Sequence, residues 1–323
     1  MSPLRSLDEQ RVSNPVPTKK ELFQHVEAPR ELARDHGVAL KSCALCGGTA
    51  AKRLYMQAHF PVVRCLGCGL VYADEHFKDE DLAAFYSGDY YTRAYVCHPK
   101  EIDRKIADGY VKAFDRVDRA LGGGKLLDFG SARGTFLGEL RRRGYAERWQ
   151  LRGVDINADE VRMGREQGLD LHAGDLASAN IPDASVDAIT AFSVVEHLQD
   201  PVGILRELGQ KLRPGGRMLV HVPSGDCLII SAALLAARFG GRSTRAFTDS
   251  VFHEEHLYYF TPRTLTRAFE MAGLRAMNFG FEPSYLETHP PGPIVALAAW
   301  TLRGAAFVLR KQTMLYGVAE RPH

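Results

Sequence analysis

The sequence predicts an α/β protein built on a doubly wound, mostly parallel sheet, with a small cysteine-rich unit in front of it. Two observations favour the sheet: a glycine-rich turn joins a predicted strand to a predicted helix at Lys125–Glu139, and an acidic residue stands at the end of this strand and of the next two. Two Cys-x-x-Cys pairs before residue 70 predict the smaller unit. Open α/β folds bind ligands at the carboxyl edge of their parallel strands, so the site is expected where the acidic residues meet.

The composition is that of a soluble globular protein. The chain has 323 residues, of which 45% are hydrophobic and 25% charged, which excludes disorder of the whole chain and favours about two domains. Its 41 basic and 39 acidic residues give a net charge of +2, so charge does not argue for a polyanionic partner. The first residues contain no apolar stretch long enough for a signal peptide, and we therefore expect a cytoplasmic location.

The first hundred residues divide into a leader and a metal-binding unit. Residues 1–38 carry four prolines among polar residues and predict a flexible leader. Residues 39–98 are predicted to form a zinc-binding unit and a tyrosine-rich linker. Two Cys-x-x-Cys turns with 18 residues between them can close one structural Zn²⁺ site, whose ligands would be Cys43, Cys46, Cys65 and Cys68. The alternatives are two turns without metal or a redox dithiol.

Three tyrosines in the linker have two interpretations. Tyr86, Tyr90 and Tyr91 follow a short predicted helix. They either pack the cysteine-rich unit against the main domain or close over a bound ligand.

The glycine-rich turn is the centre of the predicted site. A short apolar run reaches Asp128, small residues follow, and Gly134 opens a helix that contains Phe136. Backbone N–H groups at such a turn can face a ligand that lies against the chain, although a purely structural turn is also possible. Asp155 ends the next strand, 21 positions beyond Gly134, which suits a ribose. A third strand is predicted to end near Asp175.

Further motifs in the same order resemble the class I S-adenosylmethionine-dependent methyltransferases. They are the turn Leu127–Gly134, the strand and loop Val186–Pro201, and the turn Leu212–His221, and the resemblance covers roughly residues 100–320. It implies a Rossmann-like sheet of seven strands whose last strand, at Thr313–Glu320, is antiparallel. Domain boundaries of 99–323, with a substrate lid at about 224–260, follow from it.

The resemblance also implies which residues hold the cofactor S-adenosylmethionine. The positions that match the family place the methionine end on the glycine-rich turn, the ribose on Asp155, and the adenine beside Asp175. Ala132 stands where the family usually has glycine, and we expect the turn to tolerate it. The predicted cofactor-binding residues are Asp128, Gly130, Ser131, Gly134, Phe136, Asp155, Ile156, Asp175, Leu176 and Ser193.

Methyl transfer from a sulfonium requires a positioned acceptor and, for a hydroxyl, a base. His197 follows the fourth strand, and Glu255 with His256 resembles a pair that lies by the substrate in zinc-bearing sugar C-methyltransferases. These three are the predicted catalytic residues. His253 and Glu254 depart from that pattern, which puts C-methylation in doubt. Alternatively, Glu196-His197 caps a helix and packs on the cofactor, His256 fixes its loop, or His253 and His256 hold a second metal.

The predicted function is methyl transfer to a small-molecule acceptor, a sugar or related intermediate that could be nucleotide-linked. An RNA methyltransferase whose zinc unit docks nucleic acid is the alternative, and a non-catalytic scaffold is a third possibility. The apolar run Cys227–Ala237 is too short to span a membrane and predicts a lid or a peripheral membrane contact. A monomer or a homodimer is expected.

Overall fold

The computed structural model describes residues 41–56, 60–74, 100–239, 248, 251–252, 256–283 and 304–323. The predicted leader, the three linker tyrosines Tyr86, Tyr90 and Tyr91, and the predicted catalytic residue Glu255 lie outside these ranges, as do His253 and Glu254.

The main body contains a seven-stranded sheet. Its strands are β4 (Gly124–Phe129), β5 (Trp149–Asp155), β6 (Leu171–Ala173), β7 (Val186–Phe192), β8 (Leu212–Pro223), β10 (Arg275–Glu282) and β11 (Met314–Glu320). Their spatial order is β10-β11-β8-β7-β4-β5-β6. Neighbours from β8 to β6 are parallel, whereas β11 is antiparallel to both β8 and β10. The prediction of a mostly parallel sheet with an antiparallel last strand is confirmed.

Helices of the described residues cover both faces of this sheet. Alternate residues of the central strands enter opposite cores, because side chains alternate along a strand. Leu126 and Leu219 pack with α1 (Lys100–Leu121) and α2 (Thr135–Arg142) on one face. Leu127 and Val220 pack with α4 (Pro201–Lys211) and α6 (Pro262–Met271) on the other. This is the doubly wound arrangement. The helices are α1 (Lys100–Leu121), α2 (Thr135–Arg142), α3 (Ala158–Glu166), α4 (Pro201–Lys211), α5 (Leu228–Phe239) and α6 (Pro262–Met271).

Local capping explains where several helices begin. Asn157 accepts the N–H of Glu160 at the start of α3, and Asp200 accepts the N–H of Gly203 at the start of α4. Thr261 and Thr264 form a capping box before α6, as the sequence predicts for Thr261. Asp200 and not Glu196-His197 caps α4, so the helix-cap interpretation of that pair is wrong.

The cysteine unit, defined as residues 41–74, carries a second, smaller sheet. Its strands are β1 (Ala51–Met56), β2 (Pro61–Cys65) and β3 (Val71–Ala73). The fourth strand of this sheet is β9 (Tyr258–Tyr259), which lies far away in sequence and pairs antiparallel with β3. The cysteine unit is therefore joined to the main body through backbone pairing.

The apolar run after the fifth parallel strand is helical, as α5 shows. Within the described part of the chain, no helix has the length and apolar character needed to cross a membrane.

Candidate active site

A cavity of about 820 Å³ opens at the carboxyl edge of β4, β5, β6 and β7. Its volume lies in the range of about 300–1,000 Å³ typical of small-molecule sites. The glycine-rich turn, the acidic strand ends, His197 and His256 all line it; we call the part at the turn and the acidic strand ends the donor end, and the part at the two histidines the acceptor end. Nine of the ten predicted cofactor-binding residues line it: Asp128, Gly130, Ser131, Phe136, Asp155, Ile156, Asp175, Leu176 and Ser193. The tenth, Gly134, is the N-cap of α2.

The glycine-rich turn follows a left-handed path. Gly130 and Gly134 both have φ of 74°, and Ala132 between them has φ of 46°. For alanine this conformation costs about 1–2 kcal/mol, so the turn tolerates Ala132 at the expense of strain. Ser193, at the end of β7, is also left-handed with φ of 53°. Strained backbone on two walls of one cavity is typical of functional sites.

Asp155 fixes the turn and faces the cavity. Its carboxylate accepts the N–H of Ala132 at 2.7 Å and the N–H of Asn157 at 2.8 Å. Burial raises its pKa, and these two hydrogen bonds oppose that shift. Ile156 next to it is 45% exposed and lines the cavity, so its side chain is available for contact with a ligand ring. Asp175 accepts the N–H of Ser178, which lowers its pKa and fixes the opposite edge.

Replacing Asp155 by asparagine is expected to weaken S-adenosylmethionine binding by about 10–100-fold. Charge-assisted hydrogen bonds contribute about 1.5–3 kcal/mol each, and the amide also loses an acceptor for the Ala132 N–H. Isothermal titration measures the change. Asp159→Asn is the control, since Asp159 is an exposed residue of α3 that pairs with Arg162 at 3.4 Å. Equal losses in both variants would contradict a specific role for Asp155.

Asp128 is a buried carboxyl group beneath the turn. It is 3% exposed, and Thr190 Oγ1 donates a hydrogen bond to it at 2.7 Å. Burial raises its pKa to about 7, although the Thr190 hydrogen bond opposes the shift. A cationic amino group of a ligand would favour the ionised form and lower this pKa again.

Cofactor binding is therefore expected to depend on pH through Asp128. Below its raised pKa of about 7 the free protein holds a proton there, and pairing with an ammonium must release it. Affinity for S-adenosylmethionine should then fall by up to about tenfold per pH unit as the pH drops from 7 to 5. Calorimetric titrations in buffers of different ionisation enthalpy measure how many protons are released when the cofactor binds. The same experiment on Asp128→Asn should show weaker binding and no such proton release.

The acceptor end of the cavity combines two histidines and a buried carboxyl group. The rings of His197 and His256 meet edge to face with centroids 5.0 Å apart. Glu196 is 0% exposed, and its Oε1 lies 3.9 Å from His197 Nε2. Burial raises the pKa of Glu196 to about 8, and neither of its carboxyl oxygens has a hydrogen-bond partner among the residues that the structure describes. The structure thus brings His197 and His256 together, with Glu196 behind them.

Tyr110 is a cavity residue that the sequence interpretation missed. It belongs to α1, stacks on Phe192 at 4.1 Å and meets His221 edge to face at 5.3 Å. Burial raises its pKa to about 12, so its hydroxyl is neutral near pH 7. In the sequence, Tyr110 stands at helical spacing with Ile106 and Phe114 on one apolar face, and its hydroxyl group distinguishes it from these neighbours.

The four cysteines form one cluster, as predicted. One Sγ atom from each lies within 4.8 Å of all the others, with Cys43 and Cys68 3.5 Å apart and Cys46 and Cys65 3.4 Å apart. A tetrahedral Zn²⁺ with bonds of about 2.3 Å places its sulfurs about 3.8 Å apart, so the donor set fits. The N–H groups of Gly47 and Gly69 close the two turns on the carbonyls of Cys43 and Cys65.

Comparisons with known proteins show the family of the chain. A family profile described as "Methyltransferase domain" matches residues 100–277, more than half of the chain. A ubiquinone biosynthesis O-methyltransferase of Aeromonas salmonicida is 26% identical over 47% of this chain and 63% of its own length. The corresponding protein of Xanthomonas oryzae is 28% identical over 44% of this chain and 61% of its own. The chain thus spans about three fifths of these relatives.

One solved structure extends the likeness of fold to most of the chain. It is a 1,6-didemethyltoxoflavin-N1-methyltransferase of Burkholderia thailandensis with S-adenosylhomocysteine and its substrate bound. Identity is 15%, the TM-score is 0.50, and the match covers 83% of this chain and 98% of that one. The seven-stranded sheet, the glycine-rich turn and the family match lead to one conclusion. The chain belongs to the methyltransferase-domain family.

Proposed function

We propose that this protein transfers a methyl group from S-adenosylmethionine to a small-molecule acceptor. The observation that carries the proposal is one continuous cavity, with the donor motifs at one end and His197 and His256 at the other. A methyl group presented between the two ends would point at the histidines. In-line displacement needs the acceptor atom held there, close to the sulfonium.

The donor end matches the parts of the cofactor by charge and polarity. Asp128 would pair with the methionine ammonium, and Asp155 would accept from the ribose hydroxyls. Ile156 and Leu176 offer apolar contact to the adenine, and both line the cavity. The left-handed turn at Gly130 lets the cofactor lie against the backbone.

At the acceptor end, His256 is proposed as the base that removes a hydroxyl proton, with Glu255 as its neighbour and His197 beside it. A histidine that gains a proton would lower the raised pKa of Glu196, behind His197, and the ionised carboxylate would then attract the imidazolium. The named relatives are O-methyltransferases, which supports oxygen as the methylated atom. A sugar or related intermediate, including a nucleotide-linked sugar, is the proposed acceptor class.

The four cysteines are proposed to bind structural Zn²⁺. Four thiolates would complete its coordination shell, so the ion would leave no open position for substrate. A unit of this size has little core of its own, and the ion would supply part of its folding energy.

Titration calorimetry with S-adenosylmethionine tests the donor, and mass spectrometry against a panel of hydroxylated acceptors and nucleotide-linked sugars tests the transfer. The expected result is cofactor binding and the gain of one methylene mass by one acceptor class. Absence of cofactor binding by zinc-loaded protein would overturn the proposal. Salt-sensitive binding to bulk RNA, with no small molecule methylated, would favour the RNA methyltransferase instead.

A further inference from the structure

The backbone that follows His256 is shared between the cysteine unit and the active site. In β9, Tyr258 pairs with Tyr72 and Tyr259 with Val71 of β3. Immediately before β9, the carbonyl of Leu257 accepts the N–H of Ala73 at 2.9 Å. The N–H of Leu257 donates to the carbonyl of Glu196 at 2.8 Å. One residue beyond His256, the chain is thus held by the cysteine unit and by the loop of His197.

The other end of this segment is attached to the main sheet. Phe260 forms a parallel bridge with Ser224, directly after β8, and its carbonyl accepts the N–H of Gly225 at 2.7 Å. Residues 257–260 therefore cross from the cysteine unit to the carboxyl edge of the main sheet. His256 stands at the beginning of that crossing.

Side-chain hydrogen bonds at Gln199, two positions after His197, connect the cysteine unit, the His197 loop and β9. Its carbonyl accepts the hydroxyl of Tyr258 at 2.9 Å, and its Oε1 accepts the ammonium of Lys41. Lys41 is itself fixed in the cysteine unit, since its carbonyl accepts the Tyr72 hydroxyl at 3.0 Å and its N–H donates to Asp74 at 2.7 Å. Gln199 connects the cysteine unit, the His197 loop and β9.

The cysteine cluster lies directly beside β2 and β3 in the chain. Cys65 is the last residue of β2, and Cys68 lies between β2 and β3, which has only three residues. A metal ion on the four thiolates would close the turn between these strands and pin both to Cys43 and Cys46. Because β3 pairs with β2 at three positions, a turn fixed by metal would position β3 through β2.

We propose that the cysteine unit is a positioning element for His256, acting through the β3–β9 pairing and through the positioning residues Gln199 and Tyr258. Metal on the four cysteines fixes the histidine without contacting the substrate. The inference rests on the proposed role of His256 in methyl transfer. It assigns the zinc unit to the acceptor end of the cavity and not to the cofactor end.

Zinc removal from the full-length protein by a chelator tests the coupling. The readouts are hydrogen exchange of the Ala73 and Leu257 amides, the ring signals of His256 in histidine-labelled protein, and titration with S-adenosylhomocysteine. Without zinc, the two amides should exchange at least about tenfold faster and the His256 signals should move. Affinity for S-adenosylhomocysteine should stay within about threefold, as expected for an independent site. His323, at the chain end, supplies reference signals.

Two variants keep the cysteines and test the path. Tyr258→Phe removes the hydroxyl group that donates a hydrogen bond to the Gln199 carbonyl, and it should shift the His256 signals. The matched control Arg267→Met breaks a different contact between the main body and the cysteine unit, because Arg267 Nε donates to the Leu45 carbonyl at 3.2 Å. It should leave those signals unchanged. A shift in both variants, or in neither, would refute the path through Gln199.

The outcomes separate this inference from the proposed function. Unchanged amides and His256 signals after zinc removal would overturn the positioning role, and so would a parallel loss of S-adenosylhomocysteine binding, which would mean a global effect. Failure of the zinc-loaded protein to bind S-adenosylhomocysteine would instead count against the proposed function. The exchange and ring-signal measurements require no knowledge of the acceptor.

Discussion

Replacing His256 by glutamine is expected to lower kcat by about 10²–10⁴-fold, the usual contribution of a general base. Its ring lies at the acceptor end of the cavity, in edge-to-face contact with those of His197 and Tyr259. Glutamine keeps a polar side chain of similar length and cannot take up the proton. The measurement is single-turnover methylation of the acceptor that the mass-spectrometric panel identifies.

Cofactor affinity in the same variant separates a chemical role from a structural one. The donor residues come from β4, β5 and their turns, so the dissociation constant for S-adenosylmethionine should stay within about threefold of the parent value. A rate unchanged in His256→Gln would remove His256 from the catalytic residues. A rate that falls only together with cofactor affinity would mean that the histidine fixes its loop.

His197 provides a matched comparison. It lies in the same cavity and beside the same carboxyl group of Glu196, 3.9 Å from its Oε1. If His256 is the base and His197 a neighbour, His197→Gln should cost less activity than His256→Gln. The reverse order would exchange the two roles and leave the methyl-transfer proposal intact.

The sequence correctly groups nine of the predicted cofactor-binding residues along one cavity because each of their signals is local. Gly130, Asp155 and Asp175 lie within short strand-to-turn segments, and parallel strands in sequence order bring their ends to one edge of a sheet. The cluster of four cysteines could be predicted for the same reason, because each Cys-x-x-Cys turn brings two thiols together. Ala132 lies in the glycine-rich turn and shares the left-handed conformation of Gly130 and Gly134.

The acceptor end was less predictable because its contacts are long-range. The strand β9 has two residues and no periodicity, and it pairs with β3, 186 positions earlier for Tyr258 and Tyr72. Nothing near Tyr258 in the sequence indicates a partner in the cysteine unit. The burial of Glu196 depends on segments that pack from several directions, and the pattern Glu-His alone suggested a helix cap that Asp200 provides instead.

Replacing Gly130 by alanine is expected to weaken S-adenosylmethionine binding by at least about 30-fold. The new Cβ would overlap Val194 Cγ2 and lie 3.3 Å from Val194 Cβ, and the residue would have to keep φ of 74°. The left-handed conformation costs about 1–2 kcal/mol, and overpacking a branched, stiff side chain costs about 1–3 kcal/mol more. The turn should relax away from the geometry that the cofactor needs, and titration calorimetry measures the loss.

The chain offers a glycine that separates backbone strain from the steric overlap. Gly122, after α1, has φ of 76°, and apart from its two chain neighbours no residue in the described part of the chain comes within 4 Å of where its Cβ would stand. Gly122→Ala should therefore destabilise the fold by about 1–2 kcal/mol and leave cofactor affinity unchanged. A loss of affinity in this control would mean that strain anywhere in the domain reaches the site.

A double-mutant cycle then assigns the overlap to Val194. Val194→Ala removes the Cγ2 that the new Cβ would meet, so Gly130→Ala combined with Val194→Ala should recover part of the affinity that Gly130→Ala loses. The residual loss should approach the left-handed cost alone, because that term does not depend on Val194. If the two losses simply add, the turn and the loop that leads to Glu196 and His197 are not in energetic contact. The donor and acceptor ends of the cavity would then have to be coupled by another route.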